Sequence, residues 1–337
     1  MEIMALLQCL SPTLTVTTVR QLSRIIFALL AMSGRVTMLG LSRWAGEGGS
    51  YRTVQRWFYT VIPWLQVLVQ FFHQHLFCAD DVYILAGDEV VVTKAGKHTF
   101  GLDRFFSSLL QKPVPSLAFF ALSLVSTRER CAFPLSVEQV IRTEAEKADR
   151  KAKAAVKPAP SLERKPGRPK GSQNKNKQQV VLNPELQHIQ AMIQALLRLL
   201  TGWLSVTYLA LDGHFGNNYA LQMTRRCGLH LISKLRSDSA LHFPYSGSQA
   251  KRGPHRKYGN RVNYRDLPEK FLKQTIVKDG MATRVYQAPL LHKEFSQPLN
   301  VGEGIDYRSF RVSRRCTKKS LISRTILFAF GTTSLKP

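Results

Sequence analysis

Acidic residues are scarce in this chain. Its 337 residues hold 22 Asp and Glu against 48 Lys and Arg, a formal net charge of +26. A surplus of that size repels itself unless a polyanion neutralises it, so nucleic acid is the expected partner. A membrane surface fits less well, because the basic residues are spread through mixed sequence of 44% hydrophobic content. A ribosome-associated or simply basic protein is the plain alternative.

Other absences narrow the class further. The five cysteines (Cys9, Cys78, Cys131, Cys227, Cys316) are isolated, with no C-x-x-C. That argues against a disulfide framework and a zinc site and for reduced thiols in a cytosolic protein. The N-terminus lacks the charged, apolar and small-residue regions of a signal peptide. No long apolar run is uninterrupted. The window from Trp57 to Phe77 contains Pro63, Gln66, Gln70, His73, Gln74 and His75, which reads as a core helix and not a membrane span. His73 and His75 are read as packing residues within it. There is no G-x-x-x-x-G-K-[ST], no G-x-S-x-G and no H-E-x-x-H, so a P-loop ATPase, an α/β-hydrolase and a zincin have no support.

What is present divides by composition. Residues 1–79 read as helical, with apolar positions at helical spacing in "TTVRQLSRIIFALLAMSG" and a stop at Gly34. After a glycine turn at 46–49, Ser50 is a candidate N-cap for a helix presenting Arg52 and Arg56 four apart, with Val54, Trp57 and Phe58 inward. Two short helices joined in this way resemble a helix-turn-helix; a helical hairpin with solvated arginines is the alternative.

From Asp80 the period changes to that of buried strands. "DVYILAGDEVVVTKAG" is one, Pro113 and Pro115 act as breakers, and a second strand covers Leu117–Val125. Residues 145–180 are different again. Between Lys147 and Lys177 lie eleven Lys/Arg, two acids (Asp149, Glu163), four prolines and no aromatic residue, which predicts a disordered basic linker. Inside it "RKPGRPKGS", with Lys165, Arg168 and Lys170, resembles an AT-hook, whose arginine enters a narrow A·T minor groove. A generic phosphate-tracking tether explains the same residues.

Order resumes with a helix capped by Asn183, carrying Pro184 and Glu185 in its first turn and ending at Gly202. "SVTYLALD", "GNNYALQMTRRCG" and "LHLISKLRSD" then alternate as strand, helix and strand, a βαβ unit. Residues 238–299 are basic, turn-rich and strand-like, and are read as a β-rich insertion.

Asp88 interrupts one apolar strand and Asp212 ends another. On neighbouring strands the two carboxylates would converge, and such a pair needs a proton or a cation between its members. Hard oxygen ligands suit Mg²⁺ or Mn²⁺, which assist phosphoryl displacement. Taken singly, each aspartate is better read as a turn starter; the paired strand context and the charge reverse that preference. His214, two residues beyond Asp212, is positioned to touch a phosphate or the metal shell, or is a polar turn residue.

The stretches "GDEVVVTKAGKHTFGLDRFFSSLLQKPVPSLAFFALSLV" and "LALDGHFGNNYALQMTRRCGLHLISKLRSDSAL" resemble the insertion-sequence transposases of the cut-and-paste DDE type, over most of the chain to about Asn300. The resemblance implies an α/β fold: an RNase H-like catalytic core over 80–237, a helical DNA-binding domain over 1–79 and a β-rich insertion over 238–299. Asp88 matches the family's first catalytic acid, and Asp212, followed by Phe215 in D-x-x-F, its second. It implies bound Mg²⁺ or Mn²⁺ and double-stranded DNA as partner, both the element's terminal repeats and the target. Water would attack the phosphodiester at the element's end, and the freed 3′-hydroxyl would then attack the target, with a homodimer in synapsis. Arg52, Arg56, Lys165, Arg168, Lys170, His214 and Arg236 are the candidate DNA contacts. The expected location is the bacterial cytoplasm, on the nucleoid, with no membrane partner.

The third acid of the family sits in a Y-x2-R-x3-E-x6-K helix. Here the Tyr-x-x-Arg after Asp212 is Tyr258–Arg261, and the position four beyond is Arg265. Glu269, Glu294, Glu303 and Asp306 lack the signature, and no acid occurs from Tyr307 to Pro337. The segment 300–337 shows no sustained period and is read as a frameshifted or non-native tail. Translation of the other two frames past codon 300 tests that: if neither encodes Tyr-x-x-Arg-x-x-x-Glu, the idea fails. The chain is therefore expected to be a transposase, with an acid such as Glu294 substituting, or a catalytically dead remnant that still binds element ends. A general nucleoid-type protein is the third alternative.

Overall fold

The computed structural model describes residues 3–96, 98–107, 109–155, 179–235, 239–263, 266–278, 281–293, 295, 299–307 and 324–329. They belong to two compact units. The first comprises Met1–Tyr83, Ala121–Val137 and Gln194–Ser205; the second comprises Ile84–Phe120, Glu138–Ile193 and Val206–Pro337.

The first unit contains helices α1 (Ile3–Leu7), α2 (Val16–Ala31), α3 (Met38–Trp44), α4 (Tyr51–Phe58) and α5 (Trp64–His75). Thr15, Thr37 and Ser50 cap α2, α3 and α4 by accepting the N–H three residues on, so the polar residue before each apolar run sets its start. Leu10, Ile25, Ala28, Leu41 and Val54 are buried together beneath them. The helical segment does not close at 79. Phe72, 1% exposed, is ringed by Tyr83, Phe133 and Trp203 at 5.2–6.3 Å between centroids. This aromatic cluster draws later strands and a helix end into the same core. The His73 ring lies 4.3 Å from that of Trp203, tilted against it, and the His75 Nε2 lies 2.8 Å from the Leu6 carbonyl. Phe58, expected inward, is 47% exposed because Trp57 takes the inward position beside it.

The described residues form a mixed sheet of twelve strands, most of which belong to the second unit. These are β1 (Tyr83–Thr93), β2 (Asp103–Ser107), β3 (Lys112–Ser126), β4 (Ala132–Val140), β5 (Tyr208–Leu211), β6 (His230–Lys234), β7 (Leu241–Pro244), β8 (Tyr258–Arg261), β9 (Leu272–Lys278), β10 (Met281–His292), β11 (Leu299–Tyr307) and β12 (Arg324–Ala329). The order is β2-β3-β1-β5-β6-β12-β11-β10-β7-β8, with β4 on β3 and β9 on β10. β1, β5 and β6 are parallel. Helices α6 (Glu144–Ala155), α7 (Pro184–Leu200) and α8 (Asn218–Arg226) complete the described elements. Asn183 and Asn217 cap α7 and α8 through Oδ1. No helix is long and apolar enough to cross a membrane among the described residues.

Three expectations need correction. The predicted linker begins as helix α6, because Thr143 and Glu146 form a reciprocal capping box: the Thr143 N–H donates to Glu146 at 2.7 Å and the Glu146 N–H to Thr143 at 3.3 Å. The prolines do not break β3. Pro113 and Pro115 pair with Phe106 and Arg104 of β2, and the Pro115 carbonyl accepts Lys94 N–H just past the end of β1. A missing N–H costs little where that ladder has run out. The segment expected to lack structure after 300 supplies β12 and most of β11. The apolar, β-branched run of β12 inserts antiparallel between β6 and β11.

Candidate active site

The pairing of β1 with β5 sets the geometry. Leu85 opposes Leu209, Ala86 opposes Ala210 and Gly87 opposes Leu211. One residue past the last paired rung come Asp88 and Asp212, which that register, continued, makes neighbours across the strand pair; both are exposed where the residues behind them are buried. In a parallel pair such neighbours lie about 5 Å apart along the hydrogen-bonding direction. Asp212 also stands just beyond the carboxyl end of β5, the place where open α/β sheets gather their ligands.

The turn after β5 is braced from three sides. The Asp212 Oδ1 accepts the His214 N–H at 3.1 Å, capping a 3₁₀ turn over Gly213–Phe215. The Asp212 carbonyl accepts the hydroxyl of buried Ser233 at 2.6 Å. Phe215, 4% exposed, packs edge to face on Phe120 at 6.2 Å. In the D-x-x-F stretch the aspartate therefore stands outside while the phenylalanine anchors the turn. Gly216 lets the backbone close down, since a Cβ there would lie 2.3 Å from the Lys234 carbonyl oxygen.

Gly87 serves the other strand. A Cβ would meet Leu211 Cδ2 at 2.8 Å and Phe120 Cζ at 2.9 Å. Gly87→Ala is expected to destabilise the protein by about 1–3 kcal/mol, the usual range for overpacking. The urea midpoint reads this directly; an unchanged midpoint would show that Leu211 and Phe120 yield freely.

Two acids missed in the sequence stand near this site. The Glu89 carboxyl is raised above its ordinary value, first by desolvation and then by the charge of Glu185, with a smaller push from Asp212. Arg142 and His214 act in the opposite direction. Glu185 opens α7 and was read only as a partner of the helix dipole; the sequence carried no signal that α7 begins beside β1. Arg142 has other commitments. Its Nη1 reaches Asp103 Oδ2 at 3.0 Å and the Arg104 carbonyl at 3.1 Å, and its guanidinium lies 3.9 Å from the Phe105 ring centre.

Burial alone would raise the Asp103 carboxyl. The Arg104 N–H, at 2.7 Å, and Arg142 outweigh it and hold Asp103 below the usual carboxylate range. A depressed folded value means stability that is present above the unfolded pKa, about 3.9, and lost as pH falls through the folded one. Asp103→Asn should therefore lower the urea midpoint at neutral pH, with the difference from the parent closing below about pH 4. A difference that persists in acid would assign the effect to packing.

Among the described residues no group of three or more His, Cys, Asp or Glu could hold a metal. The facing pair still fits a magnesium-like ion, which binds through one or two carboxylates and completes its shell with water and substrate phosphates. His214 is exposed on the turn beside Asp212. Arg52 and Arg56 are exposed on α4, in the first unit. Lys165, Arg168, Lys170 and Arg236 lie outside the described residues, as does Glu294. Tyr258 and Arg261 lie on strand β8, Glu269 in a 3₁₀ turn, and Glu303 and Asp306 on β11, so none of them sits on a signature helix.

The family described as DDE superfamily endonuclease matches residues 8–289. No curated protein matches the chain.

Proposed function

Because the chain belongs to the DDE superfamily endonucleases, a family of divalent-metal nucleases acting on DNA, we propose that it is the transposase of an insertion sequence. It cleaves phosphodiesters at the element's terminal inverted repeats and joins the freed 3′ end to target DNA, in the cytoplasm and as a homodimer in synapsis. The observation that carries this reading is the β1–β5 register, whose last pair, Gly87 with Leu211, directly precedes Asp88 and Asp212. The strand sequence β4-β3-β1-β5-β6, with β1, β5 and β6 parallel, supports an RNase H-like core.

When bound, Mg²⁺ or Mn²⁺ supplies Lewis-acid stabilisation of the charge that grows on the phosphate. The protein's part is positioning. Asp88, on β1, and Asp212, on the braced turn after β5, would hold the ion, with little reorganisation left for the reaction itself. His214, on the same turn, donates to a phosphate oxygen. Arg52 and Arg56 on α4, with the basic segment that includes Lys165, Arg168, Lys170 and Arg236, neutralise the DNA backbone and fix its register.

A second reading draws on the absence of a three-acid group among the described residues: a remnant that binds element ends without cutting them. Incubation of an end-repeat duplex with the protein and Mg²⁺ or Mn²⁺ separates the two. Strand cleavage supports the transposase. Retention of the duplex with no cleavage supports the remnant.

A further inference from the structure

The end of α4 is an unusual surface for a solvated helix. Phe58 and Trp64 are each 47% exposed, Tyr59 78% and Val61 95%. Large apolar side chains gathered at such exposure mark a contact surface. They are also held in place. Trp57, 8% exposed, packs edge to face against Phe58 at 5.0 Å and Trp64 at 6.2 Å. The Tyr59 N–H donates to the Arg56 and Trp57 carbonyls, and the Thr60 hydroxyl donates to the Arg56 carbonyl at 3.1 Å. The rings sit on a braced turn.

Their electrostatic setting selects the occupant. Helical spacing places Arg52, Arg56 and Tyr59 along one face, and both arginines are exposed. Residues 48–79 contain no Asp or Glu. A second copy of this surface would set arginine against arginine. An intact duplex would satisfy the arginines through phosphate but leave the rings unpaired, because its bases stack on one another. A strand with unstacked bases satisfies both, offering phosphates to the guanidinium groups and π-faces to the rings.

We infer that the C-terminal turn of α4 is a stacking platform for unpaired nucleotides adjoining a duplex. The inference rests on the reading of the chain as a DNA-acting protein and adds the strand state of the DNA it holds.

The test uses the full-length protein, a blunt mixed-sequence duplex, and the same duplex with a short single-stranded tail carrying 2-aminopurine. The tailed duplex should bind about tenfold more tightly, with its fluorescence quenched by stacking. Tyr59→Ala should remove most of that preference and the quench, Tyr59→Phe should keep both, and Trp64→Leu should weaken both, while blunt-duplex affinity stays within about twofold. Equal binding of the two DNAs without quenching overturns the platform and leaves the DNA-acting reading standing. So does a Tyr59→Ala loss that is equal on both DNAs, or one that appears only as a change in sedimentation. Failure to bind either DNA overturns both.

Discussion

Replacing Asp212 by Asn is expected to lower metal-dependent cleavage of an end-repeat duplex by about a thousandfold, equivalent to several kcal/mol of lost transition-state stabilisation. Asp88→Asn should match it, and the double variant should be little worse than either. Two carboxylates that hold one ion act as a unit, and losses within a unit do not add. Asparagine keeps the size and one carbonyl acceptor, so the cap to His214 survives and duplex affinity should hold. Gel-based cleavage and fluorescence anisotropy, run together, separate chemistry from binding. If the two single losses multiply in the double variant, the carboxylates do not share a task. If Asp212→Asn cuts at the parental rate, it is a turn residue and no more.

Phe215→Ala is expected to cost about 3–5 kcal/mol of stability, the range for removing a buried aromatic ring. Phe215 is 4% exposed and rests on Phe120, which in turn fills the space left above Gly87. The ring therefore joins β3, β1 and the turn carrying Asp212. Denaturant unfolding gives the stability loss. Cleavage at a temperature where the variant remains folded gives the second readout, and it should fall because the turn is no longer fixed. Phe215→Leu should recover most of the stability. Full activity in a destabilised Phe215→Ala protein would show that Ser233 and Gly216 hold the turn alone.

The βαβ unit that carries Asp212 was legible because local signals agreed. An apolar run ending in Asp-Gly, then an asparagine cap and a helix, reads as one arm of a βαβ unit, and that unit forms β5, α8 and β6. Elements that depend on partners were harder. β3 reads as broken because proline is a poor strand residue in general; only its neighbours show that the ladder beside Pro115 has ended. The nearness of Glu185 to Glu89 requires knowing where α7 begins relative to β1, which no spacing encodes. Phe58 was misplaced although 54, 57 and 58 share one helical face: it is the last residue of α4, where Trp57 already covers the core. The α6 start was the avoidable miss, since Thr143 and Glu146 stand at capping-box spacing.

The place of β12 bears on how the molecule is made. β6 ends at Lys234 and its antiparallel neighbour begins at Arg324, so synthesis at about 5–20 residues per second leaves β6 waiting roughly five to twenty seconds for its partner. Through that interval the nascent chain carries an open edge next to the parallel strands β1 and β5, and β11 lacks the same neighbour. Open edges invite pairing with other chains. Maturation of the sheet is thus a late event, paced by the ribosome and exposed to chaperone capture before the two halves of the sheet are joined.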